Sequence, residues 1–578
     1  MTKRILCLLL AFVMLFGVCA TLASCQPDEP VDPNYKDEGD RTDDEFDNEA
    51  DKAVSKYYDY TWSTTNLNVE ISEHTAEGEL ISRTKRYLAG EDPNAKDALD
   101  EDVRKRNSNA EKVTRTKIKY NYLPDIAANG WGDNIERIVN ASKSYSDKSA
   151  DVYINFIYDM VGASLLGAFA NLKSVTMPGS NGINYFEFAA GDYSPVVDDE
   201  GYMYDLMNSL SFSTKKVYVL TSDYLIDTVR AFFVVPVNLK MVNGIDVTMV
   251  ERYDYDQNGV FDTNDFFNII WENDWNYEAV KVLSAAVAVQ VGETSNLMND
   301  THGFALGSGK SGIHGVGILY GSDVEIITRE LGDDGFYKVY YPASAEDSGY
   351  AQFCDALAEL FSSKGVTNVD KETSTHTCAD YIEDLFVADQ LLLGGIICAG
   401  NLEKTGYQEM KTDLDGGFGV APVPMYREFD QTKDIDEYDR NRYYRTASHN
   451  IAKCAAISVV TTKFKQASAW LDYQSTHSSD ILDTYYEEKL QYAIAGGLTD
   501  GAMENVKVLG MLRENVSTAL DKCYDDAIKA YSQVDKRWCA LIRTADWKID
   551  IRSEYNAAVQ VKQDWLKSIQ EKYNYLPE

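Results

Sequence analysis

Residues 151–160, DVYINFIYDM, form an apolar run rich in β-branched and aromatic side chains, followed directly by Gly162 and a helix-like stretch to Leu172. A buried strand feeding a helix is the unit of a parallel sheet covered by helices, so the chain is expected to be α/β. The pattern recurs. Residues 216–220 (KVYVL) and 231–237 (AFFVVPV) are strand-like, and 418–424 (FGVAPVP) is extended with turn punctuation. From residue 480 the sequence reads as mostly helical, with Val508, Leu512, Val516 and Leu520 at four-residue spacing as core positions. The folded part is too long for one core and is expected to divide into two large units.

The N-terminus carries Lys3 and Arg4, an apolar run over residues 5–20, and then Leu22, Ala23, Ser24 and Cys25. A basic end, a short apolar stretch and small residues make an export signal, too short for a stable membrane span. Ending on a cysteine, it reads as a lipoprotein signal over residues 1–24, with Cys25 lipidated and the mature chain held on the extracellular face of a bacterial membrane. Residues 25–54 are dense in Asp, Glu, Pro and Asn and nearly free of aliphatic side chains. They cannot bury enough apolar area to offset chain entropy, and are expected to form an acidic tether.

With 92 acidic against 55 basic residues, the net charge of −37 argues against nucleic acid and anionic lipid headgroups as partners. The chain holds 39 Tyr and 8 Trp, whose flat apolar faces and polar edges suit sugar rings as well as cores. Beyond the signal and Cys25, six cysteines remain: Cys354, Cys378, Cys398, Cys454, Cys523 and Cys539. None forms a CxxC pair, and they are read as small core residues.

The sharpest local motif spans residues 254–265 (DYDQNGVFDTND). Asp254, Asp256, Asn258 and Asp262 fall at positions one, three, five and nine of a calcium loop. Gly259 at six allows the sharp turn, Val260 at seven offers its carbonyl, and Asp265 at twelve stands where an EF-hand carries Glu. A structural calcium ion is expected here, with an acidic surface turn as the alternative.

Several catalytic signals fail on spacing. Residues 307–312 (GSGKSG) lack the first glycine of a phosphate loop, since position 304 is Phe304. The six histidines, His74, His302, His314, His376, His449 and His477, show no paired-ligand spacing, and no GxSxG elbow occurs.

The order of segments resembles a family. The lipoprotein signal, the acidic tether and the strand and helix of residues 151–172 are followed by residues 237–240 (VNLK), 273–276 (NDWN) and 417–426 (GFGVAPVPMY). Residues 456–460 (AISVV), 465–470 (KQASAW) and 485–487 (YYE) complete the order. Together they are similar to the extracellular solute-binding lipoproteins of ABC importers, carbohydrate-binding branch, across nearly all of residues 80–500. The family's usual Phe-Asn-Lys is replaced by Val237, Asn238, Leu239 and Lys240, and its Trp-Thr pair by Trp275 and Asn276.

The resemblance implies a two-lobe, periplasmic-binding-protein-like type II fold with a ligand cleft between α/β lobes. Lobe 1 would hold residues 55–235 and 420–478, and lobe 2 residues 236–419 and 479–578. It also implies a monomer that captures a small-molecule solute, an oligosaccharide above all, and delivers it to an ABC transporter permease without making or breaking bonds. Cleft groups are expected at strand ends. Tyr158 and Asp159 lead, with Trp131, Trp275, Tyr320 and Tyr444 behind them, while Trp470 is expected in the core. The alternatives are a surface glycoside hydrolase, a calcium-dependent adhesion or scaffold protein, and a binder of cationic peptides.

Overall fold

The computed structural model describes Tyr57 and residues 66–577, except 74–83, 92–96, 124–132, 147–148, 175–185, 187–200, 292–296, 308–313, 323, 325–326, 371–372, 374–375, 411–416, 429–443, 448–451, 491–492, 495–496, 499, 518–519, 521–523 and 525–550. The signal, the tether with Cys25, Trp131, His74, His449, Cys523, Cys539 and most of the 307–312 loop lie outside the described residues.

Everything that follows belongs to the unit Trp62–Glu578. Its chain lays down β1 (Leu67–Ser72), α1 (Ala98–Val113), β2 (Ile118–Leu123), α2 (Asp133–Ala141), β3 (Val152–Phe156) and α3 (Ile157–Leu165). It then passes through α4 (Ile226–Arg230) into β4 (Phe233–Asn238), α5 (Thr263–Trp271), α6 (Tyr277–Val287), β5 (His302–Gly307) and α7 (His314–Gly321). A hairpin of β6 (Thr328–Leu331) and β7 (Tyr337–Tyr340) leads to α8 (Tyr350–Phe361), β8 (Val366–Val369), α9 (Cys378–Val387), β9 (Leu391–Leu393), β10 (Ile397–Cys398) and β11 (Phe418–Ala421). Then come β12 (Thr446–Ala447), β13 (Lys453–Ile457), α10 (Phe464–Thr476), α11 (Ser479–Leu490), α12 (Asp500–Glu514) and α13 (Ile551–Asn574). The expected α/β class is borne out.

Two sheets organise these elements. The first has the order β13-β3-β1-β2. β1 runs parallel to both neighbours, with Leu67 opposite Ile118 and Val69 opposite Val152, and β13 returns antiparallel with Ala455 opposite Ile154. The second has the order β10-β4-β9-β5-β8, with β11 also paired to β4. There β5 is parallel to β8 and β9, and β4 is antiparallel to β9, β10 and β11. The chain thus leaves the first sheet before β4 and returns to it at β13. The boundaries expected at 235/236 and 419/420 fall inside β4 and β11, which pair with each other through Val235–Ala421 and Asn238–Phe418.

Strand β3 is buried along its whole length, as its continuous apolar sequence demands. It is shorter than expected. Phe156 faces Lys453, the first residue of β13, and the pairing with β1 stops at Ile154, so the ladder runs out and a helix begins at Ile157. Residues 216–220 do not form a strand. Their backbone is satisfied one group at a time, Val217 N–H by Asn171 Oδ1 at 3.0 Å and Leu220 N–H by the Ala455 carbonyl at 2.8 Å. Val508, Leu512, Val516 and Leu520 are all buried as expected, but α12 stops at Glu514 and Val516 pairs in extended conformation with Thr446. Trp470 is fully buried in α10. Cys354, Cys378, Cys398 and Cys454 are buried free thiols, and burial pushes those of Cys354 and Cys398 up to about 12.

A buried ionic cluster lies where the chain crosses between the sheets. Arg230, at the end of α4 and just ahead of β4, reaches Asp227 Oδ1 at 2.6 Å and Glu403 Oε1 at 2.7 Å. Lys453, on β13, lies 3.3 Å from the other Asp227 oxygen, donates to the Ser72 carbonyl at 2.7 Å and meets Thr84 Oγ1. Tyr485 donates to Glu403 at 2.7 Å. Burial opposes charge on Arg230, but Glu403 and Asp227 together hold its guanidinium well above the ordinary proton affinity.

Candidate functional site

The segment after β11 runs through Pro422 to Arg427 and is fixed from several sides. The Trp275 indole N–H donates to the Pro422 carbonyl at 2.7 Å, and Ser322 Oγ donates to the Pro424 carbonyl at 2.9 Å. Met425 donates its N–H to the Trp275 carbonyl at 3.2 Å and accepts from Tyr277 N–H at 2.9 Å. Tyr444 closes the set, its hydroxyl accepting the Trp275 N–H at 3.0 Å. Held at Pro422, Pro424 and Met425, the segment presents its end, Tyr426 and Arg427, at a defined place.

That place is a crevice of about 620 Å³. One wall is the turn of Glu346, Asp347, Ser348 and Gly349 with Gln352 in the first turn of α8, and the other is Tyr426, Arg427 and Arg445. Gly349 ends the turn in the left-handed region, φ +71°, where a side chain is strained, and a Cβ there would lie 3.0 Å from the Tyr426 hydroxyl. The Tyr426 ring meets Phe353 of α8 edge-on at 5.9 Å and carries the Arg427 guanidinium 5.5 Å from its centre. Glu346 is held by Arg552 Nε at 2.8 Å, and Asp347 accepts the Ser344 hydroxyl at 2.8 Å. An aromatic face ringed by carboxylates, an amide and guanidiniums can stack on a pyranose while donating to and accepting from its hydroxyls.

The residues picked from sequence occupy other places. Tyr158 and Asp159 sit in the first turn of α3 rather than at a strand end, both buried, with Asn134 Nδ2 3.4 Å from Asp159 Oδ2. Trp275 is fully buried against Phe266, ring centres 5.5 Å apart, and Tyr444 is buried beside it. These two build the wall behind the crevice rather than its surface. Tyr320 is half-buried on α7, packed against the core. Sequence reasoning missed Tyr426, Arg427 and Arg445. A signal was present for Tyr426, which ends the 417–426 segment, but none marked Arg427 or Arg445.

In the 254–265 loop, carboxylate oxygens of Asp254, Asp256 and Asp265 lie within 4.8 Å of one another. Asp254 accepts the N–H groups of Asn258 at 3.1 Å and Gly259 at 3.0 Å, and Gly259 turns at φ +79°. Asp265 accepts from Tyr255 N–H at 3.0 Å, and burial, with the charges of Asp262 and Asp256, raises its carboxyl above the usual range. Asp262 is occupied as the N-cap of α5, Asn258 Oδ1 accepts the Val260 N–H at 2.7 Å, and Val260 is exposed. Three of the six expected ligands therefore converge through carboxylates, a hard-oxygen set that fits calcium.

No family model and no curated protein matches the chain. It is similar to solved structures at low identity. The extracellular solute-binding protein from Staphylococcus aureus in complex with maltose shares 12% identity over 87% of this chain and 99% of its own, at a TM-score of 0.45. The GacH receptor of Streptomyces glaucescens, solved unliganded and with acarbose, gives 12% over 88% and 99% at 0.43. The galacto-N-biose-/lacto-N-biose I-binding protein of the ABC transporter from Bifidobacterium longum gives 12% over 87% and 97% at 0.42. Among the described residues, no helix is long and apolar enough to cross a membrane.

Proposed function

We propose that this chain is a solute-binding lipoprotein that captures an oligosaccharide in the crevice beside Tyr426 and presents it to an ABC transporter permease. The observation that carries this reading is the crevice itself: about 620 Å³, open, with one aromatic platform and a rim of paired donors and acceptors. Lipid on Cys25 would hold the protein at the extracellular face of the membrane. The two sheets would serve as the cores of two lobes, 55–235 with 420–478 and 236–419 with 479–578, and the paired strands β4 and β11 as the hinge between them. Binding would then stabilise a closed form that the permease recognises. Calcium, held by Asp254, Asp256 and Asp265, would tie the 254–265 loop and take no part in solute capture.

Thermal unfolding of the protein against a panel of oligosaccharides tests the reading. A ligand at 100 times its dissociation constant adds about 2.7 kcal/mol of stability, and Tyr426→Ala is expected to abolish that shift. Recovery of the sugar cleaved would move the protein to the hydrolases, and a shift that survives Tyr426→Ala would place the solute elsewhere.

A further inference from the structure

We infer that α13 positions the crevice wall, with Arg552 holding Glu346 so that its second oxygen accepts a hydroxyl of the solute. The inference rests on the reading of this crevice as the solute site. Residues 341–355 make the wall and its approaches, and α13 is fastened along them. Gln563 Oε1 accepts the Tyr341 N–H at 2.9 Å, and the buried Tyr555 donates its hydroxyl to the Pro342 carbonyl at 2.9 Å. The Tyr555 ring lies 6.2 Å from that of Tyr350, the first residue of α8. Arg552 completes the set from the first turn of α13, its Nε on Glu346 Oε1 at 2.8 Å and its Nη2 on Asp355 Oδ2 at 2.9 Å.

A guanidinium is a rigid planar fork, so one arginine that holds two carboxylates also fixes them relative to each other. Here one carboxylate lies on the turn that lines the crevice and the other on α8, and the fork therefore ties the turn to the helix behind it. The place is a poor one for a cation on its own account, because the first turn of a helix disfavours positive charge. With Arg552 and Glu346 exposed by 48% and 49%, the pair adds little to stability, and its effect is one of orientation. Arg552 takes Oε1 of Glu346, whereas Oε2 has no partner among the described residues. A carboxylate oxygen held at the crevice with its lone pairs unused is an acceptor for a sugar hydroxyl beside the Tyr426 ring.

The experiment has a ligand-free arm and a saccharide arm, both on the whole protein. Without ligand, Arg552→Gln is expected to leave melting unchanged and to speed hydrogen exchange at the Ser348 and Gly349 amides, which donate to the Ser344 and Glu346 carbonyls at 3.3 and 3.1 Å. Unchanged exchange there overturns the inference whatever binds. In calorimetric titration with maltotriose, cellotriose, xylotriose and galactotriose, Glu346→Ala is expected to weaken the best-bound member about tenfold or more. Arg552→Gln alone should weaken it about two- to fivefold and, with the exposed pair gone, remove its sensitivity to sodium chloride. Because Arg552 acts through Glu346, adding Arg552→Gln to Glu346→Ala should cost nothing more. Losses that add in the double variant, or an affinity untouched by either substitution, overturn the inference and leave the solute reading standing. If the unaltered protein binds none of the four, the solute reading fails for these sugars and the hydroxyl-accepting role of Glu346 falls with it.

Discussion

The indole N–H of Trp275 and the carbonyl of Pro422 meet at 2.7 Å in the interior, behind the segment that carries Tyr426 to the crevice. This bond ties a residue at the start of α6 to the exit of β11, so the position of Tyr426 depends on a group that never touches solvent. Trp275→Phe would leave the Pro422 carbonyl buried without its donor, at about 1–3 kcal/mol. Urea titration should show that loss together with weaker saccharide binding. Loss of stability with unchanged affinity would disconnect the wall from the site.

Gly349→Ala probes the opposite wall. Alanine at φ +71° costs about 1 kcal/mol, and its Cβ would press on the Tyr426 hydroxyl 3.0 Å away. Affinity for the solute is expected to fall by more than the change in melting implies. Equal affinity would mean that the Tyr426 ring does not define the site.

The crossing cluster should respond strongly to loss of its central cation. Arg230→Met leaves Glu403 and Asp227 buried with their main counter-charge removed, and a cost of about 3–5 kcal/mol is expected in denaturant unfolding. A change below about 1 kcal/mol would show that Lys453 alone balances the two acids.

Calcium should raise the melting temperature at neutral pH, and Asp254→Ala should abolish that rise. Because the Asp265 carboxyl is raised in the folded state, its contribution favours folding at low pH and is lost as pH rises through its folded value. Calcium stabilises the ionised form, so the calcium-induced shift should be full above that folded value and vanish as pH falls through it. A shift independent of pH down to 3 would place the ion elsewhere.

The α/β class was legible because strand patterns such as residues 152–156 and 233–238 are continuous and apolar, a signal that burial on both faces imposes. The site was less so. Trp275 and Tyr444 were singled out for side chains that also suit a core, and burial decided for the core. Tyr158 and Asp159 depended on where β3 ends, which is set by the reach of its partners β1 and β13 rather than by local preference. Arg445 joins Tyr426 and the 346–352 wall only through tertiary contact, which no local pattern encodes.

Strand β3 ends at Phe156, and its antiparallel neighbour β13 begins at Lys453. Lys216, in the middle of the sequence, is capped by the carbonyls of Asn574 and Leu576 at 2.9 and 2.5 Å, and Tyr218 by that of Pro577 at 2.5 Å. A nascent chain emerging in order therefore carries β3 with an open edge until β13 has been made, and Lys216, which also faces the Phe336 ring at 5.5 Å, gains these carbonyls later still. An open edge invites pairing with other chains. The protein's order of synthesis thus sets a timing constraint: its first sheet is completed late, and the chain needs protection or an unfolded passage until then.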